Sequence, residues 1–103
     1  MSDIEIKING FSISKDMTMF LDENMQKLKN KSPSGSFLAL VLSAVNSHYQ
    51  GQLTVNSHEH SFKAENKDSS AVSVVLNLLA EIETQVKRWR RLRFSLEPYQ
   101  EKT

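Results

Sequence analysis

Few residues in this sequence can do chemistry, and most of them lead away from catalysis. There is no cysteine among the 103 residues. A thiol nucleophile, a disulfide framework and any Cys-ligated zinc or iron–sulfur centre are therefore excluded. His58 and His60 flank Glu59, which puts two imidazoles on one side of an extended chain. A zinc site needs three or four ligands held by supporting hydrogen bonds. Nothing around the pair, or around the third histidine, His48, supplies them. These residues read as exposed hairpin histidines, and no metal is expected. No glycine-rich phosphate loop, HExxH or G-x-S-x-G is present. The serines fall in turns and at helix caps, where local hydrogen bonding explains them. The chain is expected to be no enzyme, with no cofactor and no small-molecule substrate.

Charge gives a more specific signal. The formal net charge is only +1, from 13 Lys and Arg against 12 Asp and Glu, which alone implies no polyanionic partner. Yet Lys87, Arg88, Arg90, Arg91 and Arg93 fall within seven residues that contain no acid. Cations at a helix C-terminus complement the macrodipole, each contributing ~0.3–1 kcal/mol. One or two would fill that role. Five repel one another, so the excess calls for an anionic partner. Lys27 and Lys31 form a second, weaker group at i,i+4 spacing, with Lys29 between them.

The elements that must position these cations follow from hydrophobic period. Ile4, Ile6 and Ile8 alternate with Glu5 and Lys7, a half-buried strand that Asn9-Gly10 ends. Ser14 is placed to cap a helix over 15–30, in which Met17, Phe20, Leu21, Met25 and Leu28 recur at helical spacing. After the loop Asn30–Ser36, the apolar run Phe37–Val45 reads as a central strand. Tyr49–Val55 and His60–Glu65 read as two further strands joined by a hairpin, with Tyr49 and Phe62 packed on the sheet. Asp68, Ser69 and Ser70 then cap a long helix to about Arg93. Its buried stripe is read as Val72, Val75, Leu79, Ile82, Val86 and Trp89.

This order, β-α-β-β-β-α, predicts an α/β (α+β) two-layer sandwich: a four-stranded mixed sheet with two helices on one face. Residues 1–94 form a single domain, and 95–103 are expected to be a flexible tail. An advance of about 100° per residue from Ile82 puts Lys87, Arg88 and Arg91 toward solvent, with Arg90 flanking the buried stripe. The strand Phe37–Val45 is apolar on both sides, which leaves an apolar strip on the uncovered sheet face. A monomer or weak dimer is expected. The opening MSDIEIKING has no apolar stretch of a leader. The longest apolar run, Phe37–Leu42, is far short of the ~20 residues of a spanning helix. No membrane partner and a cytoplasmic location are therefore expected.

The chain resembles the ribosome hibernation-promoting factors, also called ribosome-associated inhibitor or sigma-54 modulation proteins. IEIKINGFSISKDMTMFLDENMQKL is similar to the family's opening strand, turn and first helix, with Gly10, Ile13 and Ser14 matching the turn. LVLSAVNSHYQGQLTV is similar to its second and third strands. HSFKAENKDSSAVSVVLNLLAEIETQVKRW is similar to its last strand, its acidic turn and the end of its last helix. There Gln85, Val86, Lys87, Arg88, Trp89 and Arg90 match position by position. The family commonly carries cations where this chain has Asn24, Glu81 and Thr84.

The resemblance implies a non-catalytic translation inhibitor that binds the small ribosomal subunit through ribosomal RNA. Lys27, Lys31, Lys87, Arg88, Arg90 and Arg91 would be its contacts. It also implies a form without the extra dimerising domain of longer members. Two other functions fit the same elements. One is a general double-stranded-RNA-binding module, although Ser69 and Ser70 stand where such a module has lysines. The other is a protein-binding adaptor that uses the helix face.

Overall fold

A computed structural model describes the chain over residues 3–102, with side chains over 3–92. The side chain of Arg93 lies outside the described residues, and the tail expected over 95–103 lies beyond those described with side chains. Six elements follow in order: β1 (Ile4–Asn9), α1 (Lys15–Lys31), β2 (Phe37–Val45), β3 (His48–Asn56), β4 (Ser61–Asp68) and α2 (Ala71–Lys102). The strands lie in the sheet in the order β1-β2-β3-β4. β1 and β2 are parallel, joined through α1, and the other two pairings are antiparallel hairpins. This is the expected two-layer fold with a mixed sheet; the last helix, read from the sequence as ending at about Arg93, runs on to Lys102.

Local chemistry sets each boundary. The Ser14 hydroxyl accepts from the Met17 amide at 3.1 Å, which satisfies one of the four orphan donors at the start of α1. Asn46 sits at φ 57° in the two-residue β2–β3 turn, a left-handed conformation that Asn tolerates. In the β3–β4 loop, the Ser57 hydroxyl accepts from the His60 amide and donates to the His60 carbonyl. The Ser70 hydroxyl faces the Ser73 amide at 3.4 Å, where α2 begins.

The core lies between the sheet and the helices. Leu38, Leu40 and Leu42 of β2, Leu53 and Val55 of β3, and Phe62 and Ala64 of β4 point into it. They meet Leu21, Met25 and Leu28 from α1, and Val74, Val75, Leu78, Ile82 and Val86 from α2. Ile4, Ile6 and Ile8 of β1 are half-buried against its edge.

The stripe of α2 differs from the sequence expectation in its first half. Val72 is exposed and Leu79 only half-buried, while Val74 and Leu78 are closed off. The cause is Gly51 on β3. A Cβ there would stand 2.8 Å from Leu42 Cδ2, 2.9 Å from Val74 Cγ1 and 3.0 Å from Leu78 Cδ1. The missing side chain lets α2 press these two residues onto the sheet.

Candidate nucleic-acid interface

The topology brings the cations in the middle of α2 beside those at the C-terminus of α1. β1, β2 and β4 run the same way, and each helix returns from the end of a strand, so α1 and α2 are parallel neighbours. Their seam is closed by Leu28 of α1 and Val86 of α2. Beside these two lies a small, partly open pocket lined also by Lys31, Glu83, Lys87 and Arg90. Lys31 Nζ stands 3.0 Å from Glu83 Oε2. The Arg90 guanidinium donates to the carbonyl of Lys31 at the C-terminus of α1. That carbonyl is one of the four a helix leaves without an intrahelical partner.

The six predicted contacts therefore fall into two sets. Lys31 and Arg90 are exposed but tie α1 to α2. Lys27, Lys87, Arg88 and Arg91 are exposed and make no hydrogen bond or ion pair among the described residues. The solvent-facing placement of Lys87, Arg88 and Arg91 agrees with the helical phase read from sequence. Lys27 and Lys31 lie one turn apart on the flank of α1 that meets α2. Lys29 instead reaches Asp3 at the start of β1, at 3.5 Å.

Arg88 stands apart from the seam. It lines an open cavity of about 650 Å³ on the β4 side of α2, with His60, Phe62, Glu81, Gln85, Trp89 and Leu92. The cationic surface therefore wraps over α2, from the seam through Arg91 to the β4 edge. Trp89 packs edge-on against Phe62, with ring centroids 6.1 Å apart, in the anchoring role expected of it. Glu81 sits on the same flank as Arg88 and accepts a hydrogen bond from the Gln85 amide at 3.1 Å.

Three partners were invisible in the sequence. Glu83 neutralises Lys31 from 52 residues away. Asp3 pairs with Lys29. Gln85 bonds both backbone groups of Lys63 on β4, donating to its carbonyl at 2.8 Å and accepting from its amide at 3.4 Å. None carries a local signal, because each contact depends on how the elements are layered.

Among the described residues, no group of three or more His, Asp or Glu is placed to hold a metal. No helix among them is long and apolar enough to cross a membrane.

The fold is shared with two proteins of solved structure. One is the N-terminal domain of Protein Y from Thermus thermophilus, with a TM-score of 0.69 and 18% identity. The match covers 82% of this chain and 94% of that one. The other is a ribosomal subunit interface protein from Coxiella burnetii, with a TM-score of 0.64 and 16% identity over 84% of this chain and 96% of that one. No family model and no curated protein matches the sequence.

Proposed function

We propose that this chain is a hibernation-promoting-factor-like protein. It is a non-catalytic, cytoplasmic translation inhibitor that binds the small ribosomal subunit through ribosomal RNA. Lys27, Lys31, Lys87, Arg88, Arg90 and Arg91 are its contacts. The observation that carries this function is the parallel placement of α1 and α2, which gathers the cations of the last turns of α1 and of the middle of α2 along one seam. The likeness of the fold to a ribosomal subunit interface protein supports it.

The chemistry suits structured RNA. Phosphate neutralisation supplies affinity that does not depend on sequence, and folded RNA is recognised largely by shape and backbone. Lys27, Lys87, Arg88 and Arg91 are free for such contacts. Lys31 and Arg90 hold the end of α1 against α2; the charge of Lys31 is shared with Glu83, while Arg90 adds its own.

Co-sedimentation with purified small subunits across a salt series tests the proposal. Wild type is expected to co-sediment at low salt and to be released steeply as salt rises. Replacing Lys87, Arg88 and Arg91 together by Ala should weaken binding and flatten the salt dependence, by about one unit of slope per lost phosphate contact. The domain should stay folded, because these side chains hold nothing in place. Wild type that fails to co-sediment at any salt overturns the ribosome partner. A triple variant with wild-type binding and slope removes the α2 cluster from the interface. Equal competition by an unrelated RNA duplex would favour the general RNA-binding module.

A further inference from the structure

The sheet face turned away from the helices carries a charge pattern of its own. The strand registers align it in rows. One row runs Glu5, Ala39, Thr54, Lys63 across β1 to β4, and the next runs Lys7, Val41, Gln52, Glu65. Each row has opposite charges at its two ends, and the second row reverses the first. All four charged residues are exposed, while Ala39 and Val41 are half-exposed between them. Phe37 continues the apolar strip of β2 and is 40% exposed.

We infer that this face pairs with the same face of a second copy of the chain, about a two-fold axis that crosses the strands between the two rows. Such an axis lays each strand antiparallel on its own counterpart, at the ~10 Å spacing of packed sheets. β2 is then buried against β2 of the second copy, Ala39 over Val41 and Phe37 over Ser43. At β1, Glu5 meets Lys7 of the second copy and Lys7 meets its Glu5. At β4, Lys63 and Glu65 exchange partners in the same way. Within one chain these two already approach to 3.4 Å, so residues two apart on a strand are within reach of each other's charges. The contact is isologous and closes at a dimer.

An axis running along the strands would also match charges, Glu5 on Lys63 and Lys7 on Glu65. It would lay the apolar strip of β2 on Asn56, Thr54 and Gln52 of β3, so the apolar strip selects the first arrangement. The area sets the strength. Four strands at about 4.8 Å spacing and six residues at about 3.3 Å give a plan area on the order of 400 Å² per copy. Stable complexes bury about 800 Å² per partner, so the dimer is reversible and forms as concentration rises. The helices and their cations lie on the opposite layer, so this pairing does not depend on RNA binding.

Sedimentation velocity from micromolar to millimolar protein tests it. Wild type should shift from monomer to dimer, less so at high salt. Lys7→Glu sets acid against the second copy's Glu5 on both sides of the axis and should weaken dimerisation roughly tenfold or more. Adding Glu5→Lys to Lys7→Glu in the same chain swaps the pair, keeps the net charge and should restore the dimer. Val41→Asp should abolish it while the circular dichroism spectrum stays that of wild type. A wild type that is monomeric at millimolar concentration overturns the inference, as does a dimer indifferent to Lys7→Glu. If the charge swap stays as weak as Lys7→Glu alone, the two-fold axis proposed here is wrong.

Discussion

Gly51→Ala should destabilise the fold by about 1–2 kcal/mol, although Ala is the better strand residue. The new methyl would stand 2.8–3.0 Å from Leu42, Val74 and Leu78. Favourable carbon–carbon separations are about 3.5–4.0 Å, so these neighbours must retreat by roughly 0.5–1 Å. Leu42 and Val74 are fully buried and Leu78 is 1% exposed, inside an interior packed to crystal-like density. Overpacking of this kind costs about 1–3 kcal/mol. Against it stands the ~0.5–1 kcal/mol by which Ala exceeds Gly within a strand. Urea unfolding can be followed through the chain's single tryptophan, Trp89, which packs on Phe62. With a slope of about 1–3 kcal/mol per molar urea, the midpoint should fall by roughly 0.5–1.5 M. Combining Gly51→Ala with Leu78→Ala lets the methyl enter the vacated space. That double variant should lose less than the sum of its singles, by 0.5 kcal/mol or more on the scale of contacting pairs. A midpoint at or above wild type, or strict additivity, would refute the close approach of α2 to β3.

Leu78→Ala alone should cost about 2–5 kcal/mol, and Leu79→Ala clearly less, since only Leu78 is fully enclosed; equal losses in urea unfolding would contradict the helical phase. Ser14→Ala removes the cap that serves the Met17 amide and should cost about 1 kcal/mol by thermal unfolding. Arg90→Ala should both lower stability and weaken RNA binding, whereas Arg91→Ala should affect binding alone; the two measurements on each variant separate the tie at the α1 terminus from free charge. Glu81→Lys turns an acid beside Arg88 into a cation and should raise affinity for small subunits at fixed salt; unchanged binding would place that flank of α2 away from the RNA.

The strands and α1 were legible because each has one dominant period. Ile4, Ile6 and Ile8 alternate cleanly, and Leu21, Met25 and Leu28 mark one side of a helix whose other side is polar. The first ten residues of α2, AVSVVLNLLA, are apolar nearly all round. Period alone could not choose between a stripe through Val72 and Leu79 and one through Val74 and Leu78. The choice was made twenty residues earlier, by the absence of a side chain at Gly51. From Ile82 onward the opposite side of α2 is charged, and there the stripe and the exposed cations were read correctly. The grouping of cations by sequence was a fair guide to exposure. It was no guide to which of them are engaged, because Glu83 meets Lys31, and the carbonyl of Lys31 meets Arg90, only across the seam between the two helices.

The two bonds between Gln85 and Lys63 have a consequence for kinetics. A primary amide that donates to the carbonyl and accepts from the N–H of one residue imitates a single rung of a neighbouring strand. β4 is the last strand of the sheet, and an outward N–H there would ordinarily exchange its proton with water freely. At Lys63 the proton is held by the exposed Gln85 side chain and is released when that side chain swings away or α2 lifts off, so its exchange rate sets an upper limit on the opening of the helix. The same opening bares a peptide edge to other chains. Fluctuations that loosen α2 and encounters that seed strand addition would then share one rate-limiting event, bounded by the exchange of one amide.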